Sequence, residues 1–112
     1  MANVEYRRDL AEARRLDSDG GAVDALLGGG PRAVPDRYAA ADPARLAAPH
    51  APVVLLHGER DALVPLSMSE RYRDATASTL VELADVDHFA LIDPSSAAWP
   101  AVLNALRTLA RG

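Results

Sequence analysis

The chain has 112 residues, of which 49% are hydrophobic and 25% charged, and its formal net charge is -4 at pH 7. This composition is typical of one globular domain and excludes a disordered chain. The net negative charge and the scattered arginines argue against a nucleic-acid surface. No apolar run reaches the roughly 20 residues of a membrane helix. The first residues lack the apolar middle of a signal peptide, so we expect a cytoplasmic protein without a membrane span.

The sequence contains neither cysteine nor lysine. Their absence excludes disulfides, thiolate metal sites, cysteine nucleophiles, lysine Schiff bases and the phosphate-binding lysine of P-loops. No two of the three histidines have the i, i+4 spacing of a metal site on a helix. We therefore expect neither a cofactor nor a metal.

The first half of the chain is predicted to be helical and interrupted by proline and glycine. An amphipathic helix is expected over residues 3–16, and a shorter one, "GAVDALLG", ends at the glycine run 28–30. Further prolines leave room only for short pieces, "DRYAAA" and "DPARLA", the second with Asp42 as its cap. Residues 1–50 are thus predicted to form a helical, proline-rich connector.

The second half, residues 51–112, predicts an alternation of strands and helices. "APVVLLHG" is a continuous apolar run of the kind found in a strand buried on both faces of a parallel sheet. Ser67–Glu70 has the pattern of a capping box that opens a helix. A second strand is expected at about residues 79–84 and a last helix from about Ser96. The fold class is therefore α/β, with a β-α-β-α segment and a right-handed crossover.

The last predicted helix carries an apolar stripe. We expect this stripe to face a core, with the early proline, Pro100, tolerated in the first turn. Its members are Trp99, Val102, Leu103, Leu106 and Leu109.

An acid and a histidine follow the two predicted strands. Asp61 lies just past the first strand and His88 just past the second. Because functional side chains of parallel sheets lie at the carboxyl ends of strands, we expect these two at the same edge. Together they would form two-thirds of a catalytic triad, in which an acid orients the imidazole that accepts a proton. His57 is expected to be a hydrogen-bonded structural residue, and His50 a surface residue.

The segments "PVVLLHGERDALVPLSMSERY" and "VELADVDHFALIDPSSAAW" resemble the carboxyl-terminal part of an α/β-hydrolase. The resemblance is to the bacterial esterase, lipase and prolyl-oligopeptidase-like branch, and it covers roughly residues 20–110. It implies that Asp61, in an "HGxxDxxVP" segment, is the triad acid and that His88, in a "DHF" segment, is the histidine. It also implies hydrolysis of a small-molecule ester or a peptide-like substrate. Leu63, Val64 and Phe89 could line a substrate pocket or could equally be loop anchors.

The chain departs from the family pattern in two respects. It contains no G-x-S-x-G nucleophile elbow and no early glycine-rich segment for an oxyanion hole. A chain lacking both should be nearly inert alone, with its nucleophile supplied from elsewhere. Asp87 stands where the family often has glycine, and could compete with Asp61 for His88.

A non-catalytic α/β module is the alternative function. Two parallel strands leave both sheet edges and much apolar surface uncovered, and an isolated strand pair is marginally stable in water. We therefore expect a partner, either a second copy of the chain or a complementing amino-terminal half. The alternative predicts that this surface serves self-association or partner binding and that no nucleophile joins His88.

Overall fold

A computed structural model describes residue 15 and residues 21–112. The helix predicted over residues 3–16 thus lies outside the described residues except for Arg15, which is helical. The chain divides into two compact units, residues 1–47 and residues 48–112. No helix within the described part has both the length and the apolar character needed to cross a membrane.

The first unit contains two short helices, α1 (Ala22–Leu27) and α2 (Pro35–Ala41), and a 3-10 turn (Pro43–Arg45). Helix α1 ends as predicted at Gly28, whose φ of 86° is a left-handed conformation that glycine adopts without a steric cost. Tyr38 of α2 is buried, and its hydroxyl donates to the Gly29 carbonyl at 3.1 Å. This contact ties α2 to the end of α1.

The helix predicted for "DPARLA" is shorter than expected. Only Pro43–Arg45 is helical, and it forms a single 3-10 turn. Asp42 has extended backbone angles, and its N–H bonds to the Tyr38 carbonyl, so it serves as the C-cap of α2. Its own carbonyl accepts the N–H of Arg45 at 3.0 Å, which closes the turn.

The second unit has the predicted alternation of strands and helices and is a small α/β structure. Its elements are β1 (Val54–Gly58), α3 (Leu66–Thr76), β2 (Thr79–Leu83), a 3-10 turn (Phe89–Ile92) and α4 (Trp99–Arg111). Within the described residues, β1 and β2 form a two-stranded parallel sheet. Helix α3 is the crossover between them.

The register of the sheet brings the ends of both strands together. Val54 pairs with Thr79 and Gly58 with Leu83, so the segments that follow the two strands leave from the same edge. Residues 54–56 are only half-buried. The prediction of a first strand buried on both faces is therefore wrong, because a two-stranded sheet with the described helices does not cover it fully.

Helix α3 does not begin with the predicted capping box. Pro65 occupies the N-cap position with φ -63° and ψ 142°, and no side chain caps the helix. The helix starts at Leu66, which places Ser67 and Glu70 within the first turns and corrects the predicted start. The fixed φ of proline suits a chain about to enter a helix, and it sets this boundary.

Helix α4 starts later than predicted and is less covered than its pattern suggests. It begins at Trp99 and not at Ser96, whose hydroxyl donates to the Ala90 carbonyl at 2.6 Å. Pro100 lies in the first turn, as predicted. Trp99 is half-buried, whereas Leu106 and Leu109 are exposed. The expectation that the whole stripe faces a core is wrong, since the described elements leave its last turns uncovered.

Candidate active site

Two loops leave the same edge of the sheet and contact each other. We call residues 59–65, which follow β1, the acid loop, and residues 84–92, which follow β2, the histidine loop. The N–H of Glu59 donates to the Leu83 carbonyl and the N–H of Arg60 to the Val86 carbonyl, both at 2.9 Å. These bonds extend the strand pairing beyond the sheet and bring the loops into register.

Gly58 makes this close approach possible. A Cβ atom added at Gly58 would overlap the carbonyl oxygen of Val86. This oxygen belongs to the backbone, so a change of side-chain rotamer cannot relieve the overlap. The last residue of β1 therefore has to lack a side chain for the histidine loop to lie where it does. A glycine at this position is part of what brings Asp61 to His88.

Asp61 is the centre of the acid loop, and its side chain is only 4% exposed. Its Oδ1 accepts the backbone N–H of Leu63 at 2.9 Å and that of Val64 at 2.8 Å. Such bonds from an aspartate to the next backbone amides close a local turn. Oδ2 is left to face His88.

The surroundings of Asp61 favour its charged form. Burial acts to raise the pKa of the carboxyl, but hydrogen bonds from the Val64 amide, the His88 ring and the Leu63 amide outweigh burial. The net effect is a pKa below the ordinary value of an aspartate. Asp61 is thus an anion held in one orientation by backbone donors.

His88 bonds to this anion through one ring nitrogen. Nδ1 lies 2.7 Å from Asp61 Oδ2, so the sequence prediction that the two residues meet at one sheet edge agrees with this contact. In the neutral ring, an Nδ1–H that donates to a carboxylate leaves Nε2 with its lone pair. No described residue hydrogen-bonds to Nε2, and the side chain is 39% exposed. We call Asp61 and His88 the dyad. Its free ring nitrogen, His88 Nε2, can therefore accept a proton.

Asp87 does not compete for His88 in this structure. Its Oδ1 instead accepts the backbone N–H of Ala90, in the 3-10 turn that follows His88, at 2.9 Å. The carboxylate on His88 is that of Asp61. The competition that the sequence left open is thus absent from the contacts of these residues.

Of the two other histidines, His57 lies closer to the site than the sequence suggested. It is buried, with Nδ1 at 2.7 Å from Ser69 Oγ and Nε2 at 2.9 Å from the Val64 carbonyl oxygen. This agrees with its prediction as a hydrogen-bonded structural residue, while His50 is exposed as expected. The contact with Ser69 was missed, because nothing in the sequence pairs a residue of α3 with one of β1.

The three residues considered for a substrate pocket have different surroundings. Leu63 and Phe89 are exposed, whereas Val64 is half-buried. Leu63 and Val64 bind Asp61 through their amides and so act as loop anchors. Phe89 meets the His88 ring edge-on, with centroids 5.1 Å apart. A shallow depression of about 590 Å³ adjoins Phe89 and Ile92, but Leu63 and Val64 do not line it.

No described serine hydrogen-bonds to His88, and Ser67 is exposed at the start of α3. Besides Ser69 with His57, Ser78 pairs with Thr76, Ser95 with Asp93, and Ser96 with the Ala90 carbonyl. Ser18 lies outside the described residues. Among the described residues, no group of three or more histidine and acidic side chains is arranged to hold a metal ion.

No protein-family model matches this chain, and neither a curated protein nor a solved structure matches it. The α/β-hydrolase resemblance therefore stays a prediction that depends on the motifs around Asp61 and His88.

Proposed function

We propose that Asp61 and His88 are the acid and the general base of a serine-type hydrolase whose nucleophile lies outside these 112 residues. The proposed substrate class is an ester or a peptide-like amide. The observation that carries the proposal is the Asp61–His88 contact of 2.7 Å, which leaves the other ring nitrogen available to a ligand. The proposed fold is the carboxyl-terminal portion of an α/β-hydrolase, to which the β-α-β-α order and the parallel strands conform.

In the proposed reaction, His88 first accepts a proton and then donates it. Nε2 takes the hydroxyl proton as the serine oxygen attacks the substrate carbonyl, and the imidazolium then gives that proton to the leaving group. Asp61 keeps Nδ1 protonated and stabilises the imidazolium, but stays ionised throughout. Its lowered pKa and its backbone donors suit this role, because both hold it as an anion.

The nucleophile and the oxyanion donors must come from another segment or chain. The sequence has no G-x-S-x-G elbow, and no described serine bonds to His88. Loss of even one oxyanion donor costs about 3–4 kcal/mol of transition-state stabilisation, so the dyad alone should be a weak catalyst. The proposal is that the 112-residue chain holds the base of the reaction and that a partner segment completes it.

A non-catalytic binding module is the second candidate. The observation in its favour is the incomplete cover of β1 and of the last turns of α4, where Leu106 is 57% exposed. Such surface is expected where another segment docks. This candidate requires no reactivity at His88, and that difference can be tested on the chain as it is.

The test is hydrolysis of an activated ester, p-nitrophenyl acetate, by the chain purified without a histidine tag. A neutral imidazole accelerates this reaction without a serine, since Nε2 can attack the carbonyl and release p-nitrophenolate. The effect is larger where a carboxylate accepts the Nδ1–H, as Asp61 does for His88, than at an ordinary exposed histidine. We expect His88→Ala to lower the rate by about tenfold, well below the roughly 10²–10⁴ that a positioned acid or base contributes in a complete site.

The matched control is His50→Ala, which removes an exposed histidine outside both loops. It should retain nearly the full rate. Equal rates for the unsubstituted chain and for His88→Ala, with both folded, would reject the base assignment and favour the binding module.

A further inference from the structure

We infer that His57 is a positioning residue for the Asp61–His88 dyad, holding the acid loop through Val64 with Ser69 as its support. The inference rests on the proposed function, since it assigns a role within that site. His57 makes no hydrogen bond to His88, because its two ring nitrogens bind Ser69 and Val64. It acts on the dyad through the loop that carries the acid.

The hydrogen bonds of His57 define which ring nitrogen carries its proton. The Val64 carbonyl can only accept a hydrogen bond, so the Nε2 that lies 2.9 Å from it carries the proton. In the neutral ring Nδ1 then accepts the hydroxyl proton of Ser69 at 2.7 Å. Both ring nitrogens of this buried side chain are thereby used, and His57 joins β1 to both the acid loop and α3.

Val64 is the residue that links His57 to the acid. Its carbonyl accepts from His57, and its N–H donates to Asp61 Oδ1 at 2.8 Å. The next residue, Pro65, fixes the chain at φ -63° where α3 begins. With its carbonyl, its amide and the following residue all held, Val64 has little freedom to turn its N–H away from Asp61.

The geometry also brings the His57 N–H close to the reactive side of the acid. Nε2 of His57 lies 3.6 Å from Asp61 Oδ2, the oxygen that accepts from His88. The donor that holds the Val64 carbonyl thus lies beside the carboxylate oxygen that binds His88. Loss of the donor at His57 should therefore loosen the Asp61–His88 contact even where the rest of the fold is kept.

The test compares two replacements of His57 that differ in the donor. Gln has a side-chain N–H₂ that can reach the Val64 carbonyl, whereas Met has similar bulk and no donor. The readout is the side-chain ¹H–¹⁵N spectrum of His88 at neutral pH, which identifies the protonated ring nitrogen and gives the solvent-exchange rate of its proton. The free energy of unfolding of each variant in urea is measured beside it, so that faster exchange caused by a loss of overall stability is distinguished from a local change at His88.

We expect His57→Gln to keep the His88 Nδ1–H signal, and His57→Met to exchange that proton about fivefold faster or more, the effect of losing roughly one net hydrogen bond. His50→Ala should leave the signal unchanged. Slow exchange equal to that of the unsubstituted chain in a folded His57→Met would overturn the inference.

Should His57→Met fail to fold, Ser69→Ala tests the same chain of contacts more gently. It removes only the donor to Nδ1, and faster exchange at His88 is again expected. Unchanged exchange there would overturn the inference. Absence of the His88 Nδ1–H signal in the unsubstituted chain would instead contradict the dyad, so failure of the inference and failure of the proposed function are distinguishable.

Discussion

The acid loop and the histidine loop leave the same sheet edge, yet they are built differently. In the acid loop, the Asp61 side chain is almost completely buried and is held by two backbone amides. In the histidine loop, the His88 side chain is 39% exposed, and Phe89 and Ile92 are exposed at 61% and 77%. The acid is therefore fixed in the interior while the base is presented at the surface.

This difference shows which loop depends on the fold and which is available to a ligand. In the acid loop, the Asp61 carboxylate accepts the amides of Leu63 and Val64, and the Val64 carbonyl accepts from His57, whereas Glu59 and Arg60 are exposed. The histidine loop depends on one buried anchor, Val86, whose carbonyl accepts the Arg60 N–H. Substitutions should thus cost stability where the loops meet and in the acid loop, but little at the exposed end of the histidine loop.

The largest effect is expected where the two loops meet. Gly58→Ala would drive a methyl group into the Val86 carbonyl and so separate the loops. Overpacking against backbone should cost about 3 kcal/mol, measured as the free energy of unfolding in urea. Gly112→Ala is the matched control, because a Cβ there meets its neighbours at ordinary contact distance. Equal stability of the two variants would show that the loops do not need this close approach.

A smaller effect is expected for the acid itself. Asp61→Asn at pH 7 should lower the free energy of unfolding by about 2 kcal/mol, since an amide cannot accept all three of the present hydrogen bonds.

An acid titration gives a second test of Asp61. A carboxyl with a lowered pKa stabilises the fold above the ordinary aspartate value of about 3.9, and that stability is lost as the pH falls through the lower folded-state pKa.

The unfolding free energy of the unsubstituted chain should therefore fall below about pH 4 by more than that of Asp61→Asn. Asp74→Asn serves as control, because Asp74 is 70% exposed and pairs with its neighbour Arg73. It should keep the full acid dependence. An identical dependence in Asp61→Asn and the unsubstituted chain would mean that the fold does not hold Asp61 as an anion.

The smallest effect is expected at the exposed end of the histidine loop. Phe89→Ala should change the free energy of unfolding by less than about 0.5 kcal/mol, because Phe89 is mostly in solvent. In the same loop, Val86→Ala should cost about 1.5–3 kcal/mol, since that side chain is buried. A loss at Phe89 as large as that at Val86 would end the distinction between an anchored and a presented part of this loop.

The sequence predicted the parts of this site that depend on local pattern. The β-α-β-α order follows from apolar runs and turn residues, and strand ends in a parallel sheet bring Asp61 and His88 to one edge. The start of α3 was mispredicted because Pro65 sets the boundary before the capping pattern begins. The capping pattern predicted a start near Ser67, whereas the fixed φ of Pro65 makes the helix begin one residue earlier, at Leu66.

Other features could not be read from pattern, because they depend on what lies against a residue in space. The apolar stripe of α4 predicts a covered face, yet Leu106 is exposed in the described structure. Likewise, the bond from Ser69 to His57 joins residues 12 apart on different elements, and a tertiary contact of this kind has no spacing signature. The hydrogen bonds from Ser69 through His57 and Val64 to Asp61 were thus visible only in the structure.

The most direct test of the Asp61–His88 dyad is the ¹H–¹⁵N spectrum of the His88 ring in the unsubstituted chain at neutral pH. We predict a ring protonated at Nδ1, with slow exchange of that proton, as a bond of 2.7 Å from Nδ1 to the Asp61 carboxylate requires. A ring protonated only at Nε2, or an Nδ1 proton that exchanges as fast as that of an exposed histidine, would contradict the dyad.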